Sequence, residues 1–407
     1  MNKLLTTLLI VAMAQTVVAQ NTRIVTVSNP LKTKRTCVPI VVNLQKDIPV
    51  CSALVTRNGQ EIPCQLDDLD GDGRFDELCF LTDLEKKEKQ QFTVTLSSTG
   101  KPREYPSEVY VEMMLSNKKI KESNKQDLYI SQLTVENGVN AYWMIHHHGA
   151  AFESKLAAYR IYFDHRQTVD IYGKYHLGLE LKDTQFYPDA QQKAAGYGDD
   201  VLWVGSTFGV GALRGWDGEK PTMLEDVAHR SQKLIARGPL RTIVEVKDES
   251  WTPLPGQEPI TMTALYTLYA GHRDCAIDIT FDHPANNYQF STGVINVKNS
   301  TEFSDKKGLR GCWGNDWPVS EKDSAGHKRE TVGLGINIPQ KYIVRELPAN
   351  KDNYGFVIGT SDRKLHYDIV FCSDNEDFGY HSDKDWYDFL SMWKRELDQP
   401  VIITIDD

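Results

Sequence analysis

Between Ala141 and Glu180 the chain gathers side chains that can move protons or hold charge: Tyr142, Trp143, His146, His147, His148, Glu153, Tyr159, Arg160, Tyr162, Asp164, His165, Arg166, Tyr172, Lys174, Tyr175 and His176. An ordinary core has no need of this mixture. Neutral histidine is well matched to proton transfer near neutral pH, and a cation beside it can neutralise a carboxylate as charge develops. The combination suits β-elimination next to a uronic acid. His147, His148 or Tyr162 would be the base and Arg160, Arg166 or Lys174 the neutralising cation, with Tyr175 and His176 extending the contact with an acidic sugar. Hydrolysis would instead need two carboxyl groups ~5–10 Å apart, for which Glu153 with Asp164 or Asp316 are the candidates. Two other uses stay open for the histidines. His146 and His148 could chelate a metal from one side of a strand, or all three could simply pack and hydrogen-bond.

Trp203, Trp216, Trp313 and Trp317 lie near glycines, in Gly205 to Gly218 and in Gly311 to Pro318. Indole faces on such loops stack on sugar rings while neighbouring acids and amides take the hydroxyls. Trp203, Trp313 and Asp316 are therefore candidate substrate contacts, with Asp199, Asp200 and Asn315 as further polar partners. Tryptophans of a sandwich core would give the same pattern. The segment Gly205-Ser206-Thr207-Phe208-Gly209 approaches a catalytic-serine elbow but has serine at its second position. No phosphate-binding loop or dinucleotide fingerprint is present, so no organic cofactor is expected.

The sharpest local motif is Asp67-Asp68-Leu69-Asp70-Gly71-Asp72-Gly73-Arg74-Phe75-Asp76-Glu77. Asp68, Asp70 and Asp72 take alternate positions of a calcium loop, Gly73 supplies the sharp turn, Arg74 can offer its carbonyl and Asp76 follows. No bidentate glutamate closes the series, because Leu78 to Leu81 reads as a strand. A structural calcium ion is expected here; a hairpin whose acids cap its turns is the alternative.

The elements that must carry these residues read as β-structure. From Arg23 to about Ser98, short alternating runs split by turns such as Asn58-Gly59 predict a small N-terminal β-sandwich over 20–100. Ser97 to Glu108 reads as a linker. Beyond it, strand-like segments at 109–114, 127–134, 157–172, 201–204, 241–247, 260–270, 276–282, 333–338, 354–359 and 366–372 predict a large antiparallel β-sandwich over 108–407, so the chain is all-β. If Arg160 to Asp164 is a strand, Arg160, Tyr162 and Asp164 share one face. In a strand, His146 and His148 would likewise oppose His147. Asp385 to Leu397 places Trp386, Phe389, Leu390, Trp393 and Leu397 on one face and predicts a C-terminal helix. Pro221 to Ala236 is a weaker helix candidate, and Pro400 to Ile405 a last strand.

The first 19 residues, with Lys3, an apolar run from Leu4 and small residues before Gln20, read as a cleaved signal peptide and imply a periplasmic or secreted protein. No cysteine follows the apolar run to take a lipid, so no membrane anchor is expected. Net charge is −10 among 407 residues, and no uninterrupted basic run appears, which argues against nucleic acid as a partner. The 7 cysteines include no C-x-x-C pair, and one disulfide among the four between Cys37 and Cys79 is compatible with export.

At Gln65 to Leu78, His147 to Glu153, Ala158 to Asp164 and Asp170 to Lys174 the sequence resembles the domain-of-unknown-function 4861 family of exported proteins from saccharolytic Gram-negative bacteria. The resemblance covers nearly all of the chain beyond the leader. It implies neighbours that degrade polysaccharides, and some members carry the label unsaturated glucuronyl hydrolase. The large domain looks similar to the galactose-mutarotase-like sandwiches of several polysaccharide lyases and sugar epimerases. The expectation is a carbohydrate-active protein acting on acidic oligo- or polysaccharide, as a lyase, a hydrolase or a non-catalytic glycan binder.

Overall fold

A computed structural model describes residues 20–45 and 49–406. The leader read at 1–19 lies outside them. The chain is all-β, as its alternation predicts, and folds into two sandwiches.

The small one pairs a five-stranded sheet, in the order Ile402–Asp406, Gln20–Ser28, Lys89–Ser97, Ser52–Arg57, Gln60–Ile62, with a three-stranded sheet of Arg35–Asn43, Glu77–Leu84 and Cys64–Asp67. Alternate residues such as Val25, Val27, Ile40, Val42, Phe80, Phe92 and Val94 fill the space between them. The C-terminal strand returns to this small sandwich and pairs with the first strand, Ile24 opposite Asp406. A large domain running unbroken over 108–407 is corrected by that pairing, which sequence order cannot reveal.

In the large sandwich one layer is a nine-stranded antiparallel sheet ordered Gln132–Glu136, His229–Arg237, Arg241–Trp251, Ile260–Tyr269, Asp274–Phe281, Lys364–Ser373, Glu330–Asn337, Leu309–Asp316, Thr301–Ser304. The facing layer holds two five-stranded sheets. The first runs Val109–Glu112, Gly149–Ser154, Ala158–Tyr162, Val169–Gly173, Asp199–Asp200. The second runs Pro221–Thr222, Arg214–Trp216, Phe290–Ile295, Asn353–Ile358, Ile343–Glu346. Bridges from Val169 to Gly209 and from Val210 to Val294 join the two.

The helix expected at Pro221 to Ala236 is instead strand: His229–Arg237 alternates exposed and buried residues, and that period of two decides for a sheet. Residues 201–204 are irregular, following the short strand Asp199–Asp200. The C-terminal helix is present at Asp383–Asp398, capped by the Ser382 hydroxyl, which accepts from the Asp385 N–H, and it buries Trp386, Leu390 and Trp393. It can lie close to the nine-stranded sheet because the strands below carry glycines. A Cβ at Gly333 would come within 2.8 Å of the Trp386 ring, and one at Gly335 within 2.5 Å of Leu390. All seven cysteines are free thiols, so the disulfide compatible with the 37–79 spacing does not form; Cys64, Cys79, Cys275, Cys312 and Cys372 are buried small hydrophobes.

The sandwiches are locked by charge as well as apolar contact. Arg241 of the large one reaches Asp67 and Glu77 of the small one, each at 2.7 Å, and the Gln65 amide oxygen accepts from the Leu240 and Arg241 N–H. No helix of the described residues is long and apolar enough to cross a membrane.

Candidate functional site

In strand Ala158–Tyr162, Tyr159 and Ile161 enter the core while Arg160 and Tyr162 share the opposite face, where both are buried and the Tyr162 ring still joins the apolar cluster. Antiparallel pairing sets Arg160 opposite Asp170. The Arg160 guanidinium donates to Asp170 Oδ2 from Nε at 3.0 Å and Nη2 at 2.6 Å, to Asp200 Oδ2 at 2.9 Å and to the Tyr187 hydroxyl at 3.1 Å, and lies 4.1 Å above the Phe186 ring. The Tyr162 hydroxyl donates to the same Asp170 oxygen at 2.8 Å. Burial opposes the Arg160 charge, but the surrounding tyrosines and carboxylates outweigh it and raise its pKa. Asp170 is sealed, whereas the Asp200 side chain is 25% exposed. Burial, with the charge of Asp170, pushes the Asp200 carboxyl well above the ordinary carboxylate range, against the pull of Arg160.

The three histidines occupy a tight 3-10 turn, not the strand expected of them, because His147 (φ 43°) and His148 (φ 73°) are both left-handed. Gly149 then enters its strand where a Cβ would lie 1.8 Å from the Ile161 carbonyl oxygen. Each ring therefore points its own way. His146 Nε2 donates to the Gln185 carbonyl at 3.2 Å, and among the described residues neither His146 nor His148 belongs to a group of three converging ligand atoms. His147 Nε2 meets Glu112 at 3.1 Å with both side chains fully buried; burial pushes Glu112 up to about 8 and His147 down to about 3, a neutral pair.

His148 is partly exposed. Its Nδ1 lies 3.0 Å from the Tyr142 carbonyl, an atom that can only accept, so Nδ1 carries the proton and Nε2 keeps its lone pair. Burial, aided by the charges of Arg160 and Arg166, pulls its pKa down to about 4. The ring stacks on Tyr142 at 3.7 Å and 4°, with Trp143 and Tyr162 edge-on at 5.3 and 5.9 Å. Arg166, held by Asp164 at 2.6 Å, sits 4.7 Å from the Tyr142 ring centre and 5.1 Å from that of Tyr162. Trp143 is 74% exposed. A cavity of about 220 Å³ lined by Asn140, Asp164, His165, Glu225 and Arg230 adjoins the group through Asp164.

His148, Arg160, Tyr162, Asp164 and Arg166 are thus brought together, with Tyr142, Trp143 and Asp200 beside them, while the remaining residues singled out by type lie elsewhere. Glu153 and Lys174 form a sealed pair at 2.5 Å, and Glu153 accepts the Glu180 and Leu181 N–H groups at the start of a short helix. Neither reaches solvent. Tyr175 faces Lys328, and His176 meets Asp377 at 2.7 Å on an exposed edge. Trp313 packs against the C-terminal helix cluster, and Asp316 faces Arg329 at 3.6 Å. Trp203 is exposed on the loop after Asp200. Glu112 and Tyr187 went unnoticed and carry no local signal; Asp170 could have been found by pairing Ala158–Tyr162 with Val169–Gly173 as a hairpin.

In the acidic turn the carboxylates of Asp68, Asp70 and Asp76 converge with ligand atoms within 4.8 Å of one another, a set of hard oxygen donors that suits calcium. Asp68 also accepts the Gly71 and Gly73 N–H groups, and Asp72 accepts that of Arg74 at 2.8 Å, shaping the loop.

Among solved structures, the chain is similar to an α-mannosidase from Enterococcus faecalis V583, with 8% identity and a TM-score of 0.50, over 95% of this chain and 46% of that one. A glycosyl hydrolase family 38 protein from Enterococcus faecalis matches at 8% identity and a TM-score of 0.48, over 95% of this chain and 47% of that one. The chain spans less than half the length of either, and at such identity the likeness is one of fold. No curated protein matches it. A family model described as "Domain of unknown function (DUF4861)" matches residues 27–403, so the chain belongs to the DUF4861 family.

Proposed function

We propose that this chain is a carbohydrate-active protein that cleaves acidic, uronate-containing glycans by β-elimination at the His148 group. One observation carries the reading: the hydrogen bond to the Tyr142 carbonyl places the His148 proton on Nδ1, so the ring, kept neutral by burial beside two arginines, offers the Nε2 lone pair. In the step, Nε2 takes the proton from the carbon next to the uronate carboxylate, and the electron pair of that C–H bond becomes the new C=C bond. The adjacent carbon–oxygen bond to the leaving sugar breaks, and its oxygen takes a proton from Asp200, whose carboxyl is held in the protonated form by burial. Arg166 pairs with the carboxylate as the enolate develops. Arg160, already committed to Asp170 and Asp200, positions the acid. Trp143 offers an exposed ring for sugar stacking.

The fold shared with an α-mannosidase supports a carbohydrate ligand without specifying the reaction. A hydrolytic mechanism using Glu153 is disfavoured because that carboxylate has no exposed surface. The acidic turn is read as a structural calcium loop remote from the chemistry. The test is incubation with a panel of acidic glycans, following the ultraviolet absorbance of the unsaturated product and total released sugar. Elimination lost in His148→Ala and Arg166→Ala supports the proposal. Sugar release without the chromophore, or glycan binding without release, overturns it in favour of hydrolysis or a non-catalytic binder.

A further inference from the structure

Arg214 is a buried cation with no carboxylate in contact; Asp164 acts on it only through space, against the charge of Arg166. Its side chain is 1% exposed, and its three hydrogen bonds all go to neutral oxygens: Nη1 to the Leu213 carbonyl at 2.9 Å, and Nη2 to Thr168 Oγ1 and the Thr207 carbonyl, each at 3.1 Å. Among the described residues, the other buried arginines of the large sandwich, Arg160, Arg230, Arg241, Arg273 and Arg310, each hold a carboxylate within 3.0 Å. Burial lowers the Arg214 pKa to about 10, so the group stays charged at neutral pH. A buried charge left unpaired is costly, and two of the five N–H groups of a guanidinium remain after three bonds. Arg214 is one of the residues around a cavity of about 260 Å³, with Ser206, Thr207, Phe208, Met223 and Asp352 among its walls. That volume accommodates a group of a few heavy atoms, since one water takes ~30 Å³.

We propose that this cavity is a binding site for a small oxyanion, a carboxylate or sulfate group, that supplies the missing partner of Arg214. Its walls take Ser206 to Phe208 from the Gly205 to Gly209 segment, which has no role in the His148 chemistry, and the exposed Trp203 lies three residues before them in the chain. Thr168, which accepts from Arg214, is two residues from Arg166. The ligand class is therefore an acidic saccharide; that extension rests on the function proposed above, whereas anion binding does not. Asp352, exposed on the rim, opposes an anion and tunes the site's affinity.

Calorimetric titration of the full chain with sodium glucuronate and sodium sulfate, in a chloride background, tests this. Binding of at least one is expected, tightened several-fold in Asp352→Asn and lost in Arg214→Met. Because Arg214→Met could misfold, Ser206→Trp at the exposed mouth, checked for native circular dichroism, is the second probe and should also abolish binding. Arg166→Ala should leave the sulfate isotherm unchanged, whereas any glucuronate bound at the His148 group would be lost with it. Absence of binding to the native chain, or sulfate binding that survives Ser206→Trp but not Arg166→Ala, would overturn the site. Anion binding without any glycan cleavage would remove the β-elimination reading and leave this one standing.

Discussion

Lys174→Met removes a cation that the fold has sealed. The Lys174 ammonium meets Glu153 at 2.5 Å and donates to the Ser154 carbonyl at 2.8 Å and to that of Gly178, with no exposed surface on either charged side chain. Methionine keeps much of the volume but strands a carboxylate and two carbonyls. Removing one partner of a buried pair costs about 3–5 kcal/mol, and each carbonyl left without a donor adds about 1 kcal/mol or more. A loss of roughly 5–7 kcal/mol follows as an upper range, since the site can relax. Burial already raises the Glu153 pKa and Lys174 opposes that rise. Without Lys174 the folded pKa climbs further, so stability is retained below about 4.3, the unfolded value, and lost as pH rises through the folded pKa. The variant should therefore be weaker relative to the native chain at pH 8 than at pH 5. Denaturant midpoints of the native chain, Lys174→Met and the double variant with Glu153→Gln check this; the double variant should recover part of the loss. Native stability in Lys174→Met together with lost glycan binding would refute the reasoning, because it would mean that Lys174 reaches the ligand.

Three further outcomes are expected. The elimination rate constant kcat/KM should fall as pH drops through about 4, where His148 protonates, and fall again on the alkaline side as Asp200 loses its proton; Asp200→Asn should remove the alkaline dependence in a pH–rate profile. His272 meets acceptors at both ring nitrogens, the Asp274 carboxylate at 3.0 Å and the Cys37 carbonyl of the small sandwich at 2.9 Å. Burial opposes its charge, but Asp274 and that carbonyl outweigh it and raise its pKa, so its contribution is complete below about 6.5 and is lost as pH rises through the folded value; His272→Gln should flatten the thermal midpoint over that range. Calcium at 100 times its dissociation constant should stabilise the chain by ~2.7 kcal/mol, an effect read as a melting shift against chelator and absent in Asp68→Asn; no shift in the native chain would exclude the calcium loop.

The alternation of Val38 to Leu44 or Ile260–Tyr269 was readable because a half-buried sheet writes its period into the residue types themselves. The C-terminal helix was readable for the same reason, and its acidic first turn and Ser382 cap are local too. At His146 to His148 the local reading failed. Two successive left-handed residues cost backbone energy that only surrounding contacts, such as Glu112 against His147, can offset.

Side-chain roles divided along the same line. Glu153 and Lys174 are chemically as suited to catalysis as His148 and Arg166, and nothing in their spacing says which pair is sealed. Sequence by itself determined the strand pattern, the closing helix, the acidic turn and the region where the reactive types gather, since each depends on neighbours a few positions apart. Tertiary structure alone decided that the last strand joins the first, that His148 and not His147 keeps an accessible lone pair, that Asp200 joins Asp170 on one arginine, and that Arg214 has no carboxylate in contact. Burial and charge pairing depend on residues tens to hundreds of positions away, and pKa, tautomer and access follow from them.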